Sequence, residues 1–207
     1  MTRNIRFAQF GLGFIVVLAT GLTLAGCTSS TTGDSGGSSG STPEFTGPWA
    51  AEFADSYAKA DTDFAKEVLS DGKVTEQEFS EMLSNFQECV AAKGITVSDY
   101  GFDGSYKTKF DPKLGNDAAN ASVKECSHSS GEDLVGALYT WTHRNPDKLD
   151  ENEITAACLS KKGVVPDGYG AKDYTTDSAD DKFPFPDQAA GRAALDSCRM
   201  DPLGIQG

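Results

Sequence analysis

Val74-Thr75-Glu76-Gln77-Glu78-Phe79 decides the fold class, because it reads as a complete helix start. Thr75 and Glu78 stand three apart. At that spacing a hydroxyl and a carboxylate satisfy each other's backbone N–H groups, while Val74 and Phe79 flank them as a hydrophobic staple. The apolar face then runs through Phe79, Met82/Leu83, Phe86 and Cys89/Val90, the three-to-four-residue rhythm of an amphipathic helix. Cys89-Val90-Ala91-Ala92-Lys93-Gly94-Ile95 closes it. Gly94 suits the left-handed position after a helix, and Ile95 can fold back onto the last turn.

The same construction returns downstream. Leu149-Asp150-Glu151-Asn152-Glu153-Ile154 repeats staple, cap and box, and Cys158-Leu159-Ser160-Lys161-Lys162-Gly163-Val164 repeats the ending. Lys109-Phe110-Asp111-Pro112 is echoed by Lys182-Phe183-Pro184-Phe185-Pro186. Ala121-Ser122-Val123-Lys124-Glu125-Cys126 is echoed by Ala193-Ala194-Leu195-Asp196-Ser197-Cys198. These four ordered matches describe a degenerate tandem repeat of capped helix, irregular insert and short helix, with half-repeats at about 73–144 and 145–207.

Upstream, Trp49, Phe53, Tyr57, Ala60, Phe64 and Val68 keep helical spacing. They predict one helix over 49–70, with Pro48 at its first position and Asp71-Gly72 ending it. In the first insert, Phe102-Asp103-Gly104-Ser105 suits a tight turn. Tyr106, Thr108 and Phe110 alternate after it, which admits a small β-hairpin. The second insert, 163–186, is rich in Gly, Pro and Asp and reads as a loop. Between the repeats, Leu134, Val135, Leu138, Tyr139 and Thr142 suit another helix, stopped by Asn145-Pro146. The fold class is mainly α with a small β-hairpin, the alternative being α+β with one small sheet.

The N-terminus carries an address. A basic start with Arg3 and Arg6 precedes an uncharged run, Phe7 to Gly26, which ends in Leu24-Ala25-Gly26-Cys27. This resembles the lipobox of bacterial lipoprotein signal peptides. The resemblance implies removal of residues 1–26 and a diacylglyceryl thioether on Cys27. Two or three acyl chains, at about 0.8 kcal/mol per buried CH₂, would hold the protein at the outer face of the bacterial cell membrane. Of the 21 residues from 28 to 48, sixteen are Ser, Thr or Gly, the composition of a tether that buries too little apolar surface to order itself. The globular domain is then 49–207.

Besides the lipidation site Cys27, four cysteines remain: Cys89, Cys126, Cys158 and Cys198. An even number in an exported domain favours disulfides, and four cysteines allow three pairings. If each half-repeat keeps its own crosslink, the pairs are Cys89–Cys126 and Cys158–Cys198. A Cys₄ zinc site is the rival, but no C-x₂-C spacing supports it.

The chain has 31 acidic and 18 basic side chains, a net charge of −13. Such a surface repels phosphate backbones, so no nucleic-acid partner is expected. The recognised sequence signatures of catalytic, metal and phosphate sites do not occur, and no catalytic, cofactor-binding or metal residue is assigned. His128 reads as an exposed loop residue among serines, and His143 as a structural residue at a helix end. Asp71 to Glu78 looks like half of an EF-hand loop, but Leu69 falls where an oxygen ligand is required, and the helix cap accounts for the residues. Asp173, Asp177, Asp180 and Asp181 read as a solvated acidic loop, with weak cation binding as the other reading.

The segments D-G-x-V-T-x-x-E-F at 71–79, C-V-x-x-K-G at 89–94, A-C-L-x-x-K-G-V-V at 157–165 and the closing Cys198-x-x-Asp201-Pro202-Leu203-Gly204 carry a wider likeness. With Leu138-Tyr139 and Asn145-Pro146, they resemble a group of small exported lipoproteins of high-GC Gram-positive bacteria. The resemblance implies export and paired cysteines and brings no activity. The expected function is therefore a non-enzymatic, lipid-anchored envelope protein that binds an unspecified ligand, or an envelope protein or glycan partner, outside the membrane. One alternative is an envelope hydrolase whose groove is lined by aromatics around Trp49, Tyr100–Tyr106, Trp141 and Phe183. A second is an importer-associated solute-binding lipoprotein, weakened by the small size and the lack of alternating βα elements.

Overall fold

The computed structural model describes residues 3–4 and 43–206. Most of the expected signal peptide, the expected lipidation site Cys27 and the expected tether up to residue 42 lie outside the described residues. Among those described, no helix is long and apolar enough to cross a membrane.

The chain is mainly helical with a small antiparallel hairpin. The order is β1 (Arg3–Asn4), α1 (Ala50–Lys59), α2 (Asp63–Leu69), α3 (Glu76–Ala92), β2 (Ile95–Ser98), β3 (Lys107–Phe110), α4 (Asn116–Ser130), α5 (Ala137–Arg144), α6 (Glu151–Lys161), α7 (Ala171–Asp180) and α8 (Gln188–Met200). A 3₁₀ turn at Pro112–Leu114 precedes α4, and a π-helical turn at Glu132–Gly136 joins α4 to α5. β2 pairs with β3 from Ile95 opposite Phe110 to Ser98 opposite Lys107. The two-residue β1 lies along the other edge of β3.

The opening of α3 forms as its sequence dictates. Thr75 accepts from the Glu78 N–H, and Glu78 accepts from the Thr75 N–H at 2.7 Å, a reciprocal capping box. Val74, Met82, Phe86 and Val90 are buried, and Gly94 takes φ +74° with Ile95 folded into the core behind it. The echo in α6 is only partial. Asp150 caps Glu153 at 2.9 Å, and Gly163 takes φ +66°. No reciprocal bond from Glu153 forms, and Leu149 is 46 % exposed, so the second staple is absent. Asn145 does that work instead. It is 1 % exposed, accepts from the Leu149 N–H at 2.9 Å, and donates to the Leu149 carbonyl and the Glu151 carboxylate at 2.8 and 2.9 Å.

The helix expected over 49–70 is two helices. Its predicted face is right, since Phe53, Ala60 and Val68 are buried, but Ala60 turns extended and Thr62 caps a new start by accepting from the Ala65 N–H. A four-residue step from Ala60 to Phe64 hides this break, because both halves keep the same apolar rhythm. Pro48 lies in the turn before α1, with Trp49 as its N-cap residue. Phe45, counted with the tether by composition, stacks on Phe53 at 6.0 Å and packs under Gly72. A Cβ at Gly72 would stand 3.2 Å from the Phe45 ring.

The second insert is not a loop throughout, because α7 occupies its centre. Asp173 accepts from the Gly170 N–H at 3.0 Å, starting the helix, and Tyr174 is buried against Phe183. Two apolar clusters result. The larger joins α1 to α5 with the hairpin, and the smaller comprises Ala156, Leu159, Tyr174, Phe183, Phe185, Leu195 and Cys198. Each holds one disulfide. Cys89–Cys126 and Cys158–Cys198 form with Cα separations of 5.5 and 5.7 Å. Cys126 lies inside α4, which continues four residues beyond it.

Candidate functional site

Three elements converge on one concave place. The first turns of α3 present Phe79. The segment linking β2 to β3 presents Tyr100, Gly101 and Phe102. α5 presents Tyr139 and Thr140, and Gln206 closes the rim from the C-terminal segment. The cavity measures about 190 Å³, below the several hundred Å³ of a drug-sized site, so it suits a fragment-sized group.

Its walls are a ladder of rings. Phe79 stacks on Tyr139 at 4.0 Å, and Tyr139 stacks in turn on His143 at 3.9 Å. Tyr100 meets Phe79 edge-on at 5.5 Å and stacks on Tyr106, which leans on Phe86. Phe102, half-buried, completes the lining. Gly104, at φ +78°, brings its turn to within van der Waals reach of Thr140. Thr140 is only 4 % exposed and lines the cavity, and its hydroxyl has no hydrogen-bond partner among the described residues.

Behind Tyr100 lies Glu132, 6 % exposed and held in the π-helical turn. π-turns recur at functional sites because they push one side chain out of helical register. Here the turn delivers a carboxylate inward. Tyr100 donates to Glu132 Oε1 at 2.9 Å, and Ser127 donates to Oε2. Gly136 makes the approach feasible, since a Cβ there would stand 3.1 Å from the Tyr100 hydroxyl and 2.9 Å from Met82 Cε. Burial pushes the Glu132 carboxyl above its usual range, opposed by the two hydroxyl donors and reinforced by Asp133. Burial and the Glu132 charge likewise push up the Tyr100 and Tyr106 phenols. The Tyr106 hydroxyl is buried without a hydrogen-bond partner among the described residues.

The sign of the linkage follows. A carboxyl raised on folding stabilises the native state below the ordinary glutamate range, and that contribution is lost as pH rises through its elevated native value. Glu132→Gln should therefore flatten the stability profile above about pH 4.5. Urea unfolding between pH 4.5 and 6 checks this, because the His128 contribution changes little there and is common to both chains. Equal slopes for the two chains would refute it.

His128 lies in α4, not in a loop, and is half exposed. It bridges Asp133 at 2.9 Å and Asp61 at 3.0 Å, so it ties α4 to the break between α1 and α2. Hydrogen bonds from its ring to the Asp133 carboxylate and then to that of Asp61 raise its imidazole above the ordinary value. Its stabilisation is complete below about pH 6.5 and is lost as pH rises through the native value. In solvent such a link is worth at most about 1 kcal/mol.

The aromatics expected in one groove divide between places. Tyr100 lines the pocket, and Tyr106 supports it. Trp49 stacks on Trp141 at 5.9 Å and donates to the Asn145 carbonyl at 2.9 Å. Phe183 belongs to the smaller cluster, stacked on Phe185. Asp173, Asp177 and Asp180 lie on α7, with Asp181 at its end, and do not gather. Asp177 accepts from the Tyr169 hydroxyl, and Asp181 pairs with Arg192. Among the described residues, no group of His, Cys, Asp and Glu could hold a metal ion. Phe79, Tyr139, Thr140 and Glu132 were not separable by sequence from core and surface positions.

Compared with known protein families, with curated proteins and with solved structures, the chain matches none. The case for the site rests on its geometry.

Proposed function

We propose that this chain is a lipid-anchored envelope protein of a bacterial cell, held at the outer face of the membrane through Cys27, whose domain binds a small ligand group in the pocket beside Tyr100. The observation that carries the binding role is a preformed cavity walled by Phe79, Tyr100, Phe102 and Tyr139, with the polar Thr140, 4 % exposed, on its lining. Apolar walls with one or two placed polar groups are the usual composition of a small-molecule site. The extracytoplasmic address is supported by Leu24-Ala25-Gly26-Cys27 and by two disulfides, which persist in oxidising compartments. Lining residues that offer rings, a hydroxyl and an amide suit holding better than proton transfer, since the Tyr100 hydroxyl is directed inward to Glu132.

Two measurements test this. Cells fed a labelled fatty acid should label the chain and place it in the membrane fraction, and Cys27→Ala should abolish both. A Cys27→Ala chain that keeps its label would overturn the anchor. Amide hydrogen exchange of the full chain, with and without small-molecule and glycan extracts of the envelope, should show added protection at 100–106 and 139–140. Unchanged exchange there with every fraction would count against binding at this pocket.

A further inference from the structure

Both tryptophans of the chain, Trp49 and Trp141, stand together on one surface of the domain, stacked at 5.9 Å. Core packing normally hides such rings, since each can bury about 150–250 Å². Here Trp141 is 42 % exposed and Trp49 only half-buried. The face continues into the loop after α5. Trp49 donates to the Asn145 carbonyl, and Lys148 lays its ammonium 5.3 Å from the centre of the Trp49 ring. Asn145 binds the next residue, Leu149, through both its N–H and its carbonyl, and the leucine side chain stays 46 % exposed. Pro48 and Pro146, beside these residues in the chain, are exposed as well. Exposed apolar surface gathered in this way marks a contact with a protein or a membrane.

Where the chain enters the domain decides between them. The described segment 43–206 begins six residues before Trp49, and Phe45 is already packed on Phe53. The stretch from Cys27 to Pro43 is rich in Ser, Thr and Gly, a composition whose coils reach about 5–6 Å × √n, or about 20–25 Å for this length. A domain of this size has a radius of gyration of about 15 Å, so a lipid on Cys27 keeps the entry side of the domain close to the bilayer. Short leads of this kind give an effective concentration in the millimolar range, so a weak apolar contact suffices. Indole rings favour such a boundary, with the apolar body toward the acyl chains and the N–H among the headgroups. The nearby charges pair off, Lys148 with Glu52 at 2.5 Å and Arg144 with Glu151 at 2.6 Å, and Asp147 and Asp150 add acid. The attraction is therefore apolar and calls for no anionic lipid. We propose that this face is a second membrane contact, with Trp49, Trp141 and Leu149 resting in the headgroup layer of the bilayer that carries the Cys27 lipid.

The inference rests on the anchored reading above, and one experiment separates the two. The chain has only these two tryptophans, so its intrinsic fluorescence reports on this face alone. The full-length chain, expressed in a bacterium and purified in detergent, is reconstituted with phosphatidylcholine vesicles whose acyl chains are plain or brominated. Flotation reads the anchor. Bromine quenches only at close range and reads the depth of the rings. Co-flotation is expected, with emission shifted to the blue and cut about two-fold or more by the brominated lipid. Trp141→Glu/Leu149→Glu changes two exposed residues and should leave the circular dichroism unaltered. That variant should still float, while the emission of its remaining Trp49 escapes the quenching. Co-flotation with emission indifferent to bromine overturns the docking and leaves the anchor intact. Quenching that survives in the folded double variant overturns the assignment to this face. Emission that responds to soluble cell-wall glycan fragments and not to bromine gives the face to a glycan and overturns the lipid contact. A chain that fails to float overturns both readings.

Discussion

Replacing Cys158 and Cys198 together by alanine should cost about 4 kcal/mol of stability, since the bond closes a loop with a sequence separation of 40 residues. For a domain whose total stability is about 5–15 kcal/mol, that is a large share. The loss should also be local. The cluster around Cys198 buries seven apolar residues, fewer than half of those in the larger cluster, and α7 within it is poor in helix formers. Native-state hydrogen exchange should therefore show α7 and α8 losing protection first, with α3 and α4 still closed. The matching Cys89→Ala/Cys126→Ala chain should lose a similar free energy, its separation being 37, but should open the α3–α4 pair. A change under about 1 kcal/mol in urea unfolding would show that the smaller cluster holds without its crosslink. Equal loss of protection in α3 would show that the two clusters open as one.

What the sequence made legible was local. The box at Thr75 and Glu78, the caps at Asp150 and after Lys93, and the burial of Phe53, Met82, Phe86 and Leu138 are set by neighbours three or four residues away. Disulfide pairing was legible as well, because the repeat carried it even where the repeat itself had decayed. The second staple had been lost, with Asn145 substituting through four hydrogen bonds, one of them from Trp49 across 96 residues. α7 was hidden for a physical reason. Lys172-Asp173-Tyr174-Thr175-Thr176-Asp177-Ser178 has weak helical propensity, and the Asp173 cap, the burial of Tyr174 and the Tyr169–Asp177 bond select the helix. The pocket was hidden for another. Phe79, Tyr100 and Tyr139 come from three separate elements, and each alone satisfies the pattern of a core position. Glu132 is one of 31 acids until the π-turn buries it.

Gly191→Ala should destabilise the protein by about 2 kcal/mol, against the rule for its setting. Gly191 lies inside α8, where alanine normally gains about 1 kcal/mol. Its backbone is helical and calls for no glycine. The contact decides. A Cβ at this position would fall 2.1 Å from Phe185 Cγ and 2.5 Å from its Cβ. Those are the root of the side chain, so no rotamer change relieves the overlap, and the Phe183–Phe185 segment or α8 itself must shift. Phe185 is buried and lies flat on Phe183 at 5.2 Å, so the shift breaks a stack as well. Overpacking of this kind costs about 1–3 kcal/mol, occasionally more, which exceeds the propensity gain. A double-mutant cycle isolates the cause. In a Phe185→Ala background the overlap is gone, and Gly191→Ala should become neutral or stabilising by up to about 1 kcal/mol. Chemical denaturation at unchanged slope reads all four chains. If Gly191→Ala destabilises equally in both backgrounds, the close approach of α8 to Phe185 is not what requires glycine there.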